Sequence, residues 1–321
     1  MLTSARVRPA LAFLVVLLIA LGGAAQAQVA PASAAPEAES FRVSVNVDLV
    51  VVHATVRDRN GRVVTDLRKE QFEVYEDGVR QAVRVFKHED IPVTVGLVVD
   101  HSGSMRGKLA DVVAAARTFA KSSNPEDEMF VVNFNEKVSP PTTIRFTNRS
   151  DELADSISRA PATGETALYD AVGKALERVQ GGSRDKKVLV VISDGGDNAS
   201  VLGQAAVLKM AEQSSALVYA IGIFDAESAD RNPKVLRRLA RATGGEAFFP
   251  GRRDEVVPIC ERIAREIRNQ YTIGYVSAGA DQPGAYRTIR VVAGAAGHGK
   301  LSVRARAGYM AAQPRPANVA K

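Results

Sequence analysis

Apolar residues change their spacing twice along this chain. From Phe41 to about Lys87 they alternate with polar ones, with Val43, Val45, Val47 and Leu49 at every second position. Val50, Val51, Val52, Ala54 and Val56 continue the run. A period of two marks a half-buried strand, so one long or bulged strand is predicted here. Asn60-Gly61 is a turn signal. Phe72, Val74 and Tyr75 predict a second strand, Glu76-Asp77-Gly78 a hairpin turn, and Val83, Val85 and Phe86 the returning strand. A meander this small is marginal alone, so it is expected to pair with strands elsewhere in the chain.

Between Ile91 and Asn269 the pattern becomes strand–helix alternation. Short apolar runs predict buried strands at Val93–Val99, Met129–Phe134, Lys187–Ser193, Leu217–Ile223 and Glu246–Phe249. Amphipathic stretches predict helices near Lys108–Ala120, Arg149–Arg159, Ala167–Val179, Val201–Gln213, Pro233–Ala242 and Asp254–Asn269. That order argues for a doubly wound α/β domain: a mostly parallel sheet with helices on both faces. After Asn269 the period returns to two, at Tyr271–Val276, Tyr286–Val292 and Leu301–Arg306. These late strands and the early ones are expected to close one β-sandwich, with the α/β domain inserted between its halves. The resulting division is a β-module at 41–90, an α/β domain at 91–269 and returning strands at 270–310.

The two ends have different compositions. Arg6 and Arg8 precede an apolar run from Leu11 to Leu21, and Ala25-Gln26-Ala27 is a small-x-small cleavage pattern. Residues 1–27 therefore read as a secretory signal. The alternative is an uncleaved anchor, for which the run is short. Export to the periplasm or the exterior is expected, with no stable membrane span after cleavage. Residues 28–40 are rich in Ala and Pro and read as a disordered linker, as does the tail at 311–321.

Charge and cysteine usage narrow the function. The formal charge is +6 over 321 residues and falls to +4 without the signal. The basic residues are scattered, which does not suit nucleic acid. No nucleotide-binding G-x-x-x-x-G-K-[ST] motif occurs. The single cysteine, Cys260, has no internal disulfide partner. It falls on a helical stripe with Val256, Ile263 and Ile267, so a core position is expected and a reactive thiol is the alternative.

The chemistry gathers at predicted strand ends. Asp100-His101-Ser102-Gly103-Ser104 follows the first buried strand of the α/β region. Asp100, Ser102 and Ser104 are spaced by two, so in an extended turn their oxygens face one way. Alone this also fits a polar turn capping the next helix. Gly164-Glu165-Thr166 places a Thr at a helix start, and Ile192-Ser193-Asp194 places an Asp at the end of another buried strand. All these donors are oxygens, which suits a hard divalent cation. Strand ends are where open α/β sheets hold their ligands.

With these residues in view, the middle region resembles a von Willebrand factor type A domain. Asp100, Ser102, Ser104, Thr166 and Asp194 resemble its metal-ion-dependent adhesion site. The resemblance implies Mg²⁺ or Mn²⁺ as cofactor. It implies that Ser102 and Ser104 ligate directly, Thr166 directly or through water, and Asp100 and Asp194 directly or through waters. It also implies a protein ligand that gives a carboxylate to the remaining position. His101 fills the variable position and is expected to point away. Asp170, in the first turn of a helix, and Asp197 and Asn198, in a loop beside the site, are expected as supporting or partner-contact residues. The flanks, including Tyr271-Thr272-Ile273-Gly274-Tyr275 and Ala305-Arg306-Ala307-Gly308-Tyr309, are similar to exported von Willebrand factor type A-related proteins abundant in acidobacteria.

The expected function is a non-enzymatic, adhesion-type protein-binding module. Two alternatives are a structural component of envelope assembly and a Mg²⁺-dependent hydrolase. Against the hydrolase, Ser102 and Ser104 are not in a G-x-S-x-G elbow.

Overall fold

A computed structural model describes residues 49–140, 145–224, 232–278 and 284–311. All of them belong to one compact unit that begins at Val47. The signal, the linker, the start of the first strand up to Asp48 and the tail from Ala312 lie outside the described residues. Among the described residues no helix is long and apolar enough to cross a membrane.

The α/β part is built on strands β5 (Val93–Asp100), β6 (Glu128–Phe134), β7 (Lys186–Ser193), β8 (Leu217–Gly222) and β9 (Ala247–Phe248). They form a five-stranded sheet in the order β6-β5-β7-β8-β9, with every pairing parallel. Every residue of β5 and β7 is buried, as a parallel sheet covered on both faces requires. Val93, Val95, Leu97 and Val99 of β5 pack on one face with helices α1 (Leu109–Ser122), α2 (Ser150–Ser158) and α6 (Val256–Arg268). Val98 of β5 packs on the other with α3 (Leu168–Gln180), α4 (Gln204–Gln213) and α5 (Pro233–Thr243). The chain passes from β5 to β6 on one side and then to β7 on the other, so the order reverses between β5 and β7. In doubly wound sheets that reversal opens a crevice at the carboxyl ends of the strands.

The helices follow their sequence signals. In α1 the buried residues are Val112, Ala115, Ala116 and Phe119, one apolar stripe at helical spacing. The Asn232 side chain caps α5 by accepting from Val235 N at 3.3 Å, Pro233 fills the first turn, and Gly244 closes the helix at φ 86°. Cys260 is buried in α6 among the core residues, and burial pushes its thiol up to about 12.

The flanking strands form two antiparallel sheets. One has the order β12 (Ser302–Arg304), β1 (Leu49–Arg57), β10 (Tyr271–Val276), β4 (Val83–Lys87). The other has the order β13 (Gly308–Met310), β11 (Tyr286–Ala293), β2 (Phe72–Glu76), β3 (Val79–Gln81). Val52, Ala54, Tyr271 and Ile273 of the first sheet share a core with Phe72, Val74, Ile289 and Val291 of the second. Early and late strands thus close one sandwich around the α/β insertion. One expectation needs correction. The strand returning through the Asp77-Gly78 turn is β3, and β4 crosses to the opposite sheet to pair with β10. Asp77 at φ 47° and Gly78 at φ 82° give the twist a two-residue hairpin needs. Val79 and Val83 are four residues apart and equally apolar, so the alternation alone does not show where the sheet changes.

Sandwich and α/β part meet at a buried charge cluster. Glu266, in the last turn of α6, is ion-paired to Arg57 of β1 and Arg304 of β12. It also accepts from Thr55 Oγ1 at 3.3 Å and from Tyr219 OH at 2.8 Å. Glu246, just before β9, holds Arg57 at 2.6 Å and Arg304 at 3.3 Å. Removing one member of such a cluster leaves buried charge uncompensated, typically at a cost of about 3 kcal/mol or more. Glu266→Ala is therefore expected to lower the urea unfolding free energy by about 3 kcal/mol. A loss below about 1 kcal/mol would show that Glu246 and solvent suffice for both arginines.

Candidate metal-binding site

Asp100 is the last residue of β5, and Asp194 directly follows β7, its neighbour across the reversal. Ser102 and Ser104 lie on the turn that follows Asp100, and Thr166 stands two residues before α3. The fold therefore delivers the sequence-predicted oxygen donors to one end of the sheet. Hydrogen bonds between them show how closely they meet. Ser104 Oγ donates to Asp194 Oδ2 at 2.7 Å, and the Ser102 and Ser104 hydroxyls are 3.1 Å apart. Gly103 N donates to Gly164 O at 3.1 Å, which ties the Ser102–Ser104 turn to the loop that leads into Thr166.

The Asp100 carboxylate is fully buried. It accepts from Ser102 N at 2.8 Å through one oxygen and from Ser193 Oγ at 2.7 Å through the other. Desolvation holds its pKa above the usual carboxylate range, and the nearby Asp194 charge adds to that, while the bonds from Ser193 and Ser102 oppose it. Asp194 is 3% exposed, and its other oxygen accepts from Gly196 N at 3.2 Å. Among the described residues neither carboxylate makes an ion pair with a Lys, Arg or His. Buried carboxylates normally have a basic partner or a metal. The donor set fits a divalent cation, which would supply the missing charge.

The loop after β7 fixes Thr166. Asn198 Oδ1 accepts from Thr166 N at 2.8 Å, and Asn198 N and Ala199 N donate to Thr166 O at 3.0 and 3.1 Å. Among the described residues the Thr166 hydroxyl is left without a hydrogen-bond partner. Asp197 Oδ1 accepts from Tyr169 N at 3.1 Å and from Ser200 Oγ at 2.5 Å. Burial raises its pKa. Asp170 accepts from Val201 N at 2.9 Å and Leu202 N at 2.8 Å. Asp170, Asp197 and Asn198 therefore staple this loop to the start of α3 through backbone amides.

His101 is buried and faces away from the hydroxyls. Its ring nitrogens stand 3.1 Å from Ala160 O and 3.0 Å from Asn133 Oδ1. Desolvation lowers its pKa. Among the described residues no group of three or more His, Cys, Asp and Glu forms a metal cluster, so this site depends on hydroxyls. Sequence reading missed the role of Ser193. Its signal was a polar residue closing an otherwise apolar strand, and its hydroxyl bridges Gly195 N at 3.0 Å to Asp100.

Residues 95–196 match the family model described as the von Willebrand factor type A domain, a span that contains all five donors. The chain is also similar to several solved structures. An aerotolerance-related membrane protein from Bacteroides fragilis is 17% identical at TM-score 0.45, over 55% of this chain and 98% of that one. A von Willebrand factor type A protein from Catenulispora acidiphila is 14% identical at TM-score 0.48, over 84% of this chain and 75% of that one. The von Willebrand factor domain of a type V pilus tip protein from Porphyromonas gingivalis is 14% identical at TM-score 0.47, over 56% of this chain and 95% of that one. No curated protein matches the sequence.

The backbone bonds of Asp170 make it a structural residue. Asp170→Ala is expected to cost about 1–2 kcal/mol in urea unfolding and to leave Mn²⁺ affinity within about twofold. Unchanged stability with a loss of more than about tenfold in Mn²⁺ affinity would instead make Asp170 a ligand.

Proposed function

We propose that this protein is an exported module that binds a partner protein through a divalent cation, Mg²⁺ or Mn²⁺. Asp100, Ser102, Ser104, Thr166 and Asp194 would hold the ion. The observation that carries this reading is the pair of buried carboxylates without a basic partner among the described residues, set among hydroxyls at the reversal of a parallel sheet. When bound, the cation supplies a positive centre that attracts an acidic group. The match of residues 95–196 to the von Willebrand factor type A domain supports the same reading, and the signal pattern at 1–27 supports export.

The chain's own residues prepare the site. Asp100 orients Ser102 through its amide and keeps its second oxygen tied to Ser193. Asn198 fixes the Thr166 backbone and leaves the hydroxyl available. Two carboxylates at most balance the divalent charge, and neutral hydroxyl donors would leave coordination positions to water, which a partner carboxylate could displace. The reading is binding without catalysis: the Ser102 hydroxyl bonds to that of Ser104, Ser104 bonds to Asp194, and His101 is turned toward Asn133 and Ala160.

Thr166→Ala tests the cation directly, because among the described residues that hydroxyl makes no hydrogen bond on which folding depends. Calorimetric titration of the metal-stripped protein with Mn²⁺ and Mg²⁺ is expected to show saturable binding to the wild type. The variant is expected to bind at least about tenfold more weakly, a loss of about 1.4 kcal/mol, with an unchanged melting temperature. Equal binding by both proteins, or none by the wild type at millimolar metal, would overturn the reading.

A further inference from the structure

Beside the proposed cation site stands a third carboxylate, on a different loop. Glu136 is exposed at the tip of the turn that follows β6. The turn is closed by a bridge between Phe134 and Val138, by Asn135 N donating to Lys137 O at 3.0 Å, and by Lys137 N donating to Asn135 Oδ1 at 3.0 Å. Its position against the site is fixed from both sides. His101 N donates to Phe134 O at 2.6 Å, and Ala167 N donates to Asn135 O at 2.7 Å. Glu136 is thus carried between the residue after Asp100 and the residue after Thr166.

The side chain turns toward the site. The Glu136 carboxylate lies directly against Gly164, occupying the place where a Cβ would stand. Gly164, at φ 78°, accepts from Gly103 N between the two serines and is two residues from Thr166. Among the described residues Glu136 makes no ion pair that would draw it elsewhere.

We propose that Glu136 is a selectivity residue of the cation site, attracting the cation and repelling the acidic group of an incoming partner. The inference rests on the binding function proposed above. A fixed negative charge near a divalent ion favours the ion, and the same charge disfavours a second anion arriving there. Its removal therefore moves the two affinities in opposite directions, a signature that a merely structural role does not produce.

The test uses Mn²⁺ as the metal and acetate as the acidic probe, with water-proton relaxation as the readout. Mn²⁺ binding enhances relaxation, and acetate entering the Mn²⁺ coordination shell displaces bound water and reduces it. Glu136→Gln is expected to weaken Mn²⁺ binding about two- to tenfold and to lower the half-saturating acetate concentration about twofold or more. Glu136→Asp, which keeps the charge but withdraws it, is expected to fall between. Unchanged affinities, or shifts in the same direction, would overturn the proposal. If wild type and Thr166→Ala bind Mn²⁺ equally, or the wild type binds none, the cation reading itself fails and this inference falls with it. Binding that depends on Thr166 but not on Glu136 would remove only the inference.

Discussion

A carboxylate at the mouth of the sheet has no basic partner among the described residues. Asp100 ends a strand whose every residue is buried, and its own side chain is shut away from solvent. The protein meets that constraint with neutral donors, the Ser193 hydroxyl and the Ser102 amide. Asp194 adds a second buried negative charge, held by the Ser104 hydroxyl. Hydrogen bonds orient these groups but leave the charge uncompensated, and burial then raises the pKa of Asp100. In the proposed reading a cation at that point would offset the charge, with the neighbouring hydroxyls as its further donors.

The scaffold does this by packing. The apolar faces of β5 and β7 are clamped between two helical layers, so the strand ends on either side of the topological reversal are fixed relative to one another. Loops then add Ser102, Ser104 and Thr166, and the stretch from Asp197 to Leu202 binds the start of α3 through backbone amides. At the far end of α6, Glu266 joins the helix to β1 and β12. The connections there are short, with α6 ending at Arg268 and β10 beginning at Tyr271. Gln270 in that connection donates to Thr55 Oγ1 at 3.1 Å. The sandwich and the α/β part are therefore bonded by side chains as well as by the chain itself.

Most of the α/β part was legible because its strands are uninterrupted apolar runs and its helices carry clear stripes. That Asp100 and Asp194 would meet at one end of the sheet was legible because a polar residue closing an apolar run is conspicuous. The β-strands were harder. Val83–Lys87 looks like a hairpin return, but the change of sheet after Gln81 depends on packing against Tyr271 and Ile273, which lie beyond the whole α/β insertion in sequence. β13 is three residues long and carries no alternation to read. Ser193 was visible as a residue but not as a support for Asp100, and Glu136 carried no signal, since its position depends on the β6 turn meeting Gly164.

Anomalous diffraction from crystals of the protein grown with Mn²⁺ would locate the ion directly. One peak is expected beside the Ser102 and Ser104 hydroxyls, at about 2.1 Å from each as for a small octahedral cation, with the Asp194 carboxylate turned to the ion or its waters. Full Mn²⁺ saturation with no peak there, and with Ser104 still donating to Asp194, would contradict the assignment of these residues to a cation.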